Sequence, residues 1–462
     1  MILLPSYKGK SVGVFGLGKS GAATINALLA SGATVYASDD NATARDSLAK
    51  HEKLHALPHA EWKWSDLSAV VLAPGVPLTH PKPHDVVAMA DKNNVPVTGD
   101  VELLLAAQPD ATVIGITGTN GKSTTTALIA HILKEAGKDV EVGGNLGTPV
   151  LSMRALGKNS IYVLELSSYQ LDLLKTARIH VACLLNFSPD HIDRHGSMEG
   201  YIAAKKHIFD HQRQADVAII GIDDAYAEAL ARTLIEEKQR RVLPIALTRK
   251  VKDGISVNEQ GLLDNGKTKI AINIFPRLKG RHNWQNAAFA FAACSEVGLE
   301  EKAIVAGMES FPGLAHRMEW IAKVNGVEFI NDSKATNADA ASKALGAYDV
   351  IYWIAGGKAK EGGIEALGEY FPRIRHAFLV GAAMDAFAHT LEGNVPYTKS
   401  GDLKTATAQA AELAFKEKKE GATVLLSPAC ASFDQWPNFE VRGDAFRDYA
   451  LAIAKEKQHA AA

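Results

Sequence analysis

The amino-acid sequence predicts an α/β fold of three domains with mostly parallel sheets, and three observations lead to this prediction. Its 462 residues exceed one ordinary core, since a domain typically holds about 100–200 residues. Short apolar, β-branched runs alternate with longer stretches of helical period, which is typical of βαβ units with helices on both sheet faces. Three of these runs open new blocks, which places the domains at 1–100, 101–312 and 313–462.

The apolar runs give the strands in chain order. They lie at SVGVFG (11–16), ATVYAS (33–38), AVVLAP (69–74), TVIGITG (112–118), YVLELSS (162–168), VACLLNF (181–187), VAIIGI (217–222), VIYWIAGG (350–357), AFLVG (377–381) and TVLLSP (423–428). Pro312 and Gly313 break the helical pattern before the last domain. Residues 252–274 predict a hairpin in the central domain, with an Asn-Gly turn at 265–266.

Composition excludes several classes of protein. The formal net charge is −2, so a basic surface for nucleic acid is not expected. The N-terminus lacks the pattern of a secretory signal, and no run approaches the roughly 20 apolar residues that span a bilayer. Cys183, Cys294 and Cys430 are widely spaced and suit neither a disulfide framework nor a zinc site. We therefore expect a cytoplasmic protein without membrane insertion, whose cysteines are core residues.

The strongest local motif is a phosphate loop, Gly118-Thr-Asn-Gly-Lys-Ser123, between a buried strand and a helix. Glycines let backbone N–H groups turn towards phosphate oxygens, and a helix N-terminus adds partial positive charge. Lys122 is predicted to contact the β- and γ-phosphates, and Ser123 to ligate Mg²⁺. The usual spacing asks for glycine where Ile116 stands. The alternative is an ordinary strand–turn–helix corner.

Polar residues follow two later strands. Glu165 ends the run IYVLE, and His191 comes just after the next strand. Ligands bind beyond the carboxyl ends of parallel strands, so both side chains are expected near Lys122 as Mg²⁺ ligands, although imidazole is an unusual one. Alternatively, Glu165 is a strand-end acid, and Asp190 or Asp193 caps the next helix. Lys205, taken alone, is an ordinary solvated lysine.

A second glycine motif lies near the N-terminus. Residues 16–21 read GLGKSG after a strand, and Asp39 and Asp40 follow about 20 residues later. We call this motif the first glycine turn, because it precedes the phosphate loop in the chain. It predicts a Rossmann-like domain that binds a pyrophosphate and a ribose. A dehydrogenase, or glycines used only for tight packing, are the alternatives for this domain taken alone.

Nine blocks of sequence are distinctive: TGTNGKST (117–124), GGNLGTP (143–149), LELSSYQL (164–171), DHIDRH (190–195), YIAAK (201–205), GRHNWQNA (280–287), HRME (316–319), NDSKATN (331–337) and LSPACASFDQWPNFEVRGDAF (426–446). Together they resemble the Mur ligases, and the resemblance runs from about residue 10 to residue 447. Within the family, LELSSYQL and SPACASFDQ resemble the members that add D-glutamate. The Asp-Asn-Pro-Arg motif of the diaminopimelate-adding members is not found. Folylpolyglutamate synthases share the phosphate loop but not the N-terminal domain.

The resemblance implies an N-terminal UDP-binding domain, a central ATP-binding domain of P-loop type and a Rossmann-like C-terminal domain. The residues implied for ATP are Gly118, Thr119, Asn120, Gly121, Lys122, Ser123, Thr124, Asn283, Asn286, Arg317 and Asp332. Those implied for the UDP substrate are Gly18, Lys19, Ser20, Asp39, Pro74, Gly75, Asn145 and His191. Those implied for D-glutamate are Thr336, Lys360, Ser432 and Phe439. The implied metal ligands are Ser123, Glu165, His191 and Lys205, the last as a carbamate.

The implied reaction adds D-glutamate to UDP-N-acetylmuramoyl-L-alanine in peptidoglycan precursor synthesis. ATP phosphorylates the alanyl carboxylate, and the amine attacks the acyl phosphate. We expect catalysis by Lys122, Glu165, His191 and Lys205, with two Mg²⁺ ions, a monomeric enzyme and closure of the third domain on ATP binding. His191 is a candidate base for the amine only if it is not a metal ligand.

Three points stay open. The first is whether Lys358 shares or replaces the role of Lys360 or has no such role, because the chain reads Lys-Ala-Lys where the family often has Asp-Gly-Lys. The amino acid could differ, as in a related Mur ligase or a polyglutamate synthase. A nucleotide-dependent binding protein without catalysis is the third alternative, which the presence of all four catalytic candidates disfavours.

Overall fold

The protein has a mixed α/β fold in two compact units. The structure is a computed structural model that describes residues 1–145, 147–247, 249–275, 277–278, 280–359 and 362–461, without the side chains of 458–461. The units are Met1–Phe311 and Pro312–Ala462. Their mostly parallel sheets confirm the predicted fold class. The boundaries of the three predicted domains stay a prediction.

The first sheet is parallel, with the strand order β3-β2-β1-β4-β5. Its strands are β1 (Ser11–Phe15), β2 (Thr34–Ser38), β3 (Leu54–Ala56), β4 (Leu67–Leu72) and β5 (Val97–Thr98). Its helices are α1 (Lys19–Ala30), α2 (Ala42–Asp46) and α3 (Asp85–Lys92), and α4 (Asp100–Ala107) leads to the next sheet. The carboxyl ends of β1 and β2 therefore carry the first glycine turn and Asp39 to one edge.

The second sheet has the strand order β14-β13-β12-β11-β10-β9-β6-β8-β7. Its strands are β6 (Thr112–Thr117), β7 (Val140–Gly144), β8 (Ile161–Glu165), β9 (Val181–Leu184), β10 (Val217–Gly221), β11 (Arg241–Ala246), β12 (Ile255–Val257), β13 (Leu262–Asp264) and β14 (Lys269–Ala271). Only β12 to β14 pair antiparallel within this described sheet, and the Asn-Gly sequence joins β13 to β14. The predicted hairpin is thus confirmed, with one more strand than expected.

The helices of this sheet cover both of its faces. They are α5 (Lys122–Glu135), α6 (Ser168–Leu171), α7 (Ile192–His195), α8 (Met198–Lys206), α9 (Ala225–Glu237), α10 (Arg281–Glu296) and α11 (Glu301–Ser310). In β9, Val181 and Cys183 join one apolar cluster while Ala182 and Leu184 join the other. Successive side chains point to opposite faces, so a strand buried on both sides must be apolar throughout.

The first and second sheets share one apolar cluster. Val12 and Val35 of the first sheet belong to the same cluster as Leu164 and Ala182 of the second. The backbone N–H of Ile2 also donates to the carbonyl of Leu151 at 2.9 Å. This shared core explains why residues 1–311 form one compact unit.

The third sheet forms the second unit, with the strand order β15-β16-β20-β17-β18-β19. Its strands are β15 (Glu319–Val324), β16 (Val327–Asn331), β17 (Val350–Gly356), β18 (Ile374–Val380), β19 (Tyr397–Gly401) and β20 (Ala422–Leu426). Its helices are α12 (Ala338–Leu345), α13 (Met384–Leu391), α14 (Leu403–Glu417) and α15 (Phe439–Ala461). All pairs are parallel except β15 with β16.

Two expectations from composition can be compared with the structure. The three cysteines are buried and unpaired, as their spacing predicts. Among the described residues, no helix has both the length and the hydropathy of a membrane span.

Candidate active site at the phosphate loop

The phosphate loop joins β6 to α5, and two of its glycines have backbone angles that other residues rarely adopt. Gly118 has φ 146° and Gly121 has φ 87°. A Cβ atom on Gly121 would lie 2.5 Å from Oδ1 of Asn286, and one on Gly118 would lie 2.9 Å from Cβ of Leu185. The loop therefore needs glycine at both positions, for its turn and for the close approach of neighbouring elements.

Side chains from distant segments hold this loop in place. The backbone N–H of Asn120 donates to Oδ1 of Asn186 at 2.9 Å. The hydroxyl of Thr119 donates to the carbonyl of Ser188 at 3.1 Å and lies 3.1 Å from the hydroxyl of Tyr201. These contacts come from the segment after β9 and from α8, so tertiary packing fixes the loop.

Two lysine ammonium groups meet at the same carbonyl oxygen. Lys122 donates to the carbonyls of Gly118 and Thr119, both at 2.8 Å. Lys205 donates to the carbonyl of Gly118 at 3.1 Å and to the hydroxyl of Thr117 at 3.2 Å. Lys122 therefore places a positive charge at the base of the loop, which favours a polyanionic ligand.

Lys205 is far from an ordinary solvated lysine, since its relative exposure is 1%. Burial and, secondly, the positive charge of Lys122 lower its pKa to about 7, while Asp190 and Glu165 oppose this shift. Near neutral pH a substantial fraction of the Lys205 amine is therefore uncharged and nucleophilic.

Glu165 is a buried carboxylate at the end of β8, with a relative exposure of 2%. Its Oε1 accepts from Nδ2 of Asn145 at 2.7 Å, whereas its Oε2 has no hydrogen-bond partner. Burial of an unpartnered carboxylate oxygen is costly. A cation at Oε2 would remove this cost, so the donor set fits Mg²⁺.

The described residues contain no cluster of three or more histidine, cysteine, aspartate or glutamate side chains arranged to hold a metal ion. Mg²⁺ is usually bound by one or two carboxylates together with phosphate and water oxygens. The hydroxyl of Ser123, at the start of α5, is a further oxygen suited to Mg²⁺.

His191 lies at the start of α7 in a left-handed backbone conformation, with φ 53°. Its side chain is partly exposed and makes no helix-cap bond. Asp190 accepts a hydrogen bond from the N–H of His191 at 3.0 Å, and Asp193 lies in the first turn of α7. The His191 ring centroid is 6.4 Å from that of Tyr201, whose hydroxyl contacts the phosphate loop.

Helix α10 packs against the loop through two asparagines. Oδ1 of Asn286 accepts from the hydroxyl of Thr125 at 3.1 Å, and its Nδ2 donates to Oδ1 of Asn283 at 3.1 Å. Asn286 is also the residue that a side chain at Gly121 would strike. The structure thus brings Asn286 to the phosphate loop, and Asn283 is hydrogen-bonded to Asn286.

The first glycine turn is surrounded by carboxyl groups. The N–H of Leu17 donates to Oδ2 of Asp39 at 2.6 Å, and the hydroxyl of Ser20 donates to Oδ2 of Asp100 at 2.5 Å. Asp100 is buried, and this burial raises its pKa. Lys19 begins α1 directly after Gly18. Four of the predicted UDP-substrate residues therefore lie in or beside this turn.

Pro74 and Gly75 follow β4 at the same edge. Nη1 of Arg194, in α7, donates to the carbonyl of Gly75 at 2.9 Å. This contact joins the segment after β4 to the segment that carries His191.

A buried aspartate, Asp332, lies in the second unit. Asp332 accepts from the hydroxyl of Ser427 at 2.8 Å and from the N–H of Met318 at 3.2 Å. Burial raises its pKa to about 7, against the hydrogen bonds and the positive charge of Arg317. Asp332 and Arg317 are therefore close enough to interact.

The residues predicted for D-glutamate lie on neighbouring segments of this unit. Ser432 is buried after β20, and the carbonyl of Phe439 accepts from the hydroxyl of Ser333 at 2.8 Å. Thr336 follows β16 in the segment that contains Ser333. Lys360 lies outside the described residues. Lys358 is exposed, and its backbone pairs with Ala431 next to Ser432.

Two family models match the chain. The model described as "Mur ligase middle domain" matches residues 116–294, and "Mur ligase, glutamate ligase domain" matches residues 316–430. UDP-N-acetylmuramoylalanine–D-glutamate ligase from Paramagnetospirillum magneticum is 49% identical, over 98% of this chain and 99% of its own. The enzyme of that name from Rhodospirillum rubrum is 48% identical, over 98% and 97%.

The chain belongs to the Mur ligase family. Solved structures agree with this assignment at the level of the fold. UDP-N-acetylmuramate-alanine ligase MurC from Thermotoga maritima has a TM-score of 0.57 at 16% identity, over 96% of this Mur ligase and 99% of that chain. A MurF structure from Acinetobacter baumannii has a TM-score of 0.58 at 17% identity, over 96% and 91%.

The sequence did not lead us to predict two of the buried or bonded residues of this Mur ligase. Asn186 follows β9 and is bonded to the phosphate loop and to Gln285 of α10. Its position, directly after a buried strand, is the same signal that identified Glu165. Arg442 escaped as well: it is 3% exposed, and its guanidinium donates to Ser333 and Cys430. An arginine in a helix gives no local sign of such burial.

Proposed function

We propose that this Mur ligase joins D-glutamate to UDP-N-acetylmuramoyl-L-alanine, with ATP as the source of the activating phosphoryl group. The observation that carries the proposal is a phosphate loop whose base holds two lysines, beside a buried carboxylate with an unpartnered oxygen. Relatives with this activity in their names are about half identical over nearly the full chain. An ATP-dependent ligase that forms an amide needs such a polyanion site.

Residues of the phosphate loop bind and orient ATP. Backbone N–H groups of residues 118–124 and the N-terminus of α5 face the phosphates, and Lys122 turns from the loop carbonyls to the β- and γ-phosphates. Asn283 and Asn286 contact the nucleotide from α10. In the second unit, Arg317 and Asp332 are proposed as further nucleotide contacts.

Glu165, Ser123 and His191 are the proposed Mg²⁺ ligands, together with a carbamate on Lys205. When bound, two Mg²⁺ ions offset phosphate charge during phosphoryl transfer to the alanyl carboxylate. Support for the metal lies in the unpartnered Oε2 of Glu165 and in the Asn145 amide, which orients the other oxygen. Asn145 and His191 are also proposed to face the alanyl end of the UDP substrate.

The buried amine of Lys205 supports the proposed carbamate. An uncharged amine attacks carbon dioxide, forms a C–N bond as one C–O π bond breaks, and loses one proton, which converts a neutral group into an anion. The burial of Lys205 and its lowered pKa supply the required neutral form. Such a carbamate beside Lys122 would provide a further oxygen ligand at the phosphate loop.

The first glycine turn is proposed to hold the UDP end of the substrate. Gly18 and Lys19 lie at the start of α1, where backbone N–H groups and an ammonium suit a pyrophosphate. Asp39 suits a ribose hydroxyl. Ser20, Pro74 and Gly75 complete the proposed contacts.

D-Glutamate is proposed to bind residues of the second unit: Thr336, Ser432, Phe439 and Lys360, with Lys358 as the alternative lysine. Hydroxyls and an ammonium fix carboxylates by charge-assisted hydrogen bonds. The bound amine then attacks the acyl phosphate, and an amide, ADP and phosphate result. We place this reaction in the cytoplasm, and we expect a monomer.

The decisive experiment supplies the purified protein with ATP, Mg²⁺, UDP-N-acetylmuramoyl-L-alanine and single amino acids. We expect phosphate release with D-glutamate and not with L-alanine, L-lysine or diaminopimelate. Release with one of the latter would assign another member of the family, and no release with any would indicate a binding protein.

A further inference from the structure

A serine, a histidine and an aspartate from the α6 and α7 segments lie close together. Nε2 of His195, the last residue of α7, lies 2.9 Å from the hydroxyl oxygen of Ser168, the first residue of α6. Nδ1 of His195 lies 3.4 Å from Oδ2 of Asp172, just after α6. The three side chains thus tie two short helices together.

Each imidazole nitrogen of His195 has one of these two partners. Nε2 lies within hydrogen-bond distance of the Ser168 hydroxyl, and Nδ1 faces the Asp172 carboxyl group. Because a carboxylate only accepts, an Nδ1–H suits Asp172, and Nε2 then accepts from the hydroxyl of Ser168.

The same order of groups activates serine nucleophiles in hydrolases, but burial excludes that role here. Ser168 has a relative exposure of 1% and His195 of 7%. A substrate carbonyl could not reach the Ser168 oxygen, so the network must act through what it holds.

A proposed metal ligand lies shortly before each of the two anchored helices. Glu165 precedes Ser168 by three residues, and His191 precedes His195 by four. Helix α7 has only four residues, and so short a helix is not stable by itself. The left-handed His191 at its start therefore depends on tertiary contacts of α7 for its position.

Tyr169 extends the same packing towards His191. Its ring is stacked on that of His195 with centroids 5.5 Å apart, and it lies 4.9 Å from the His191 ring. The Arg194 guanidinium lies 4.7 Å from the Tyr169 centroid. The side chains of His191, Arg194 and His195 therefore all contact the ring of Tyr169 in α6.

We propose that His195 is a positioning residue of the ligase reaction, which holds His191 at a fixed place relative to Glu165 through Ser168 and Asp172. This inference rests on the proposed function. It assigns His195 no contact with substrate or metal.

The test replaces His195 by phenylalanine, which keeps a ring of similar size and removes the polar contacts with Ser168 and Asp172. We expect kcat to fall by about tenfold to a hundredfold, as for other residues that orient metal ligands. The Mg²⁺ concentration for half-maximal rate should rise several-fold by the same reasoning, with KM for D-glutamate unchanged. His195→Asn keeps an N–H near Asp172 and should recover part of the rate.

His376→Phe is the matched control. Nε2 of His376 lies 2.8 Å from the hydroxyl oxygen of Thr398, so the substitution removes an imidazole–hydroxyl contact of the same kind in the second unit. This variant should keep the kcat and the Mg²⁺ dependence of the unsubstituted protein. Equal losses in both variants, or an unchanged His195→Phe enzyme, would overturn the inference.

A binding measurement separates this inference from the proposed function. In Mg²⁺, His195→Phe should bind a non-hydrolysable ATP analogue about tenfold more weakly than the unsubstituted protein, and in EDTA the two affinities should agree. Equal affinities in Mg²⁺, or a similar loss in EDTA, would reject positioning. If the unsubstituted protein binds Mg²⁺ and the analogue but releases no phosphate with D-glutamate, the proposed function fails instead.

Discussion

The two glycine turns of the first unit have the same local form and different charged neighbours. Each follows a buried parallel strand, and each leads into a helix whose first residue is a lysine, Lys19 in α1 and Lys122 in α5. The first turn is bonded to the carboxyl groups of Asp39 and Asp100. The phosphate loop instead has a second lysine, Lys205, on its own carbonyl.

This difference shows which part of a nucleotide site is local. Backbone N–H groups at a helix start come from the glycine motif itself and suit phosphate in both turns. The neighbouring carboxylates or ammonium groups come from residues about 20 to 90 positions away, and they decide between ribose hydroxyls and a triphosphate.

The sharpest test of this comparison exchanges the two helix-starting lysines for alanine. Lys122→Ala should lower the rate of phosphate release by about a thousandfold, because the γ-phosphoryl group loses a positioned cation. Lys19→Ala should leave kcat unchanged and raise KM for the UDP substrate about tenfold or less. Steady-state kinetics with each substrate varied will measure both. Similar effects of the two substitutions would remove the proposed distinction.

The second lysine of the phosphate loop is tested by Lys205→Met. Loss of the proposed carbamate should lower kcat about a hundredfold, and added bicarbonate should stimulate only the unsubstituted enzyme. A Lys205→Met enzyme that keeps full activity would show that the carbamate has no part in catalysis.

The same pair of proteins gives a pH test. The folded pKa of Lys205 is lowered to about 7 from 10.5, so the unfolded chain binds more protons between these values. In buffer free of carbon dioxide, the stability of the lysine protein should therefore rise with pH relative to Lys205→Met above pH 7, by at most about 1.4 kcal/mol per pH unit. Urea unfolding at several pH values measures this difference, and parallel curves would count against a buried neutral amine.

Gly121→Ala tests the shape of the phosphate loop. The new Cβ would meet Oδ1 of Asn286 at 2.5 Å in a residue with φ 87°, so nucleotide affinity should fall about tenfold or more. Gly137→Ala is the control, since it has φ 73° and nothing within 4 Å of a Cβ. Gly137→Ala should cost about 1 kcal/mol of stability and leave nucleotide binding intact. Calorimetric titration will distinguish the two, and an equal loss of affinity would point to backbone strain alone.

Asp39→Asn should have the smallest effect. Asp39 accepts from the N–H groups of Leu17 and Asn41, and asparagine keeps one acceptor oxygen. We expect KM for the UDP substrate to rise about fivefold, equivalent to about 1 kcal/mol, with kcat unchanged. A fall in kcat without a change in KM would place Asp39 elsewhere in the mechanism.

The sequence allowed much of the fold and part of the candidate site to be predicted. Apolar runs located strands such as β6, β8 and β9 because a strand buried on both faces has to be apolar throughout. The phosphate loop and Glu165 were found because they lie where parallel strands end. Lys205 read locally as a solvated side chain, and only the family resemblance singled it out. Asn186 and Arg442 were missed because their partners are remote in sequence.

The sequence by itself determined the order of strands and helices, the two glycine turns and membership of the Mur ligases, because periodicity and short motifs are local properties. Tertiary structure decided which side chains meet: Lys205 with Lys122 at Gly118, Glu165 with Asn145, and His195 with Ser168. Charge, burial and proton affinity depend on distances through space. Those distances are set only when the chain folds and the apolar core packs, which brings together segments that are far apart in sequence.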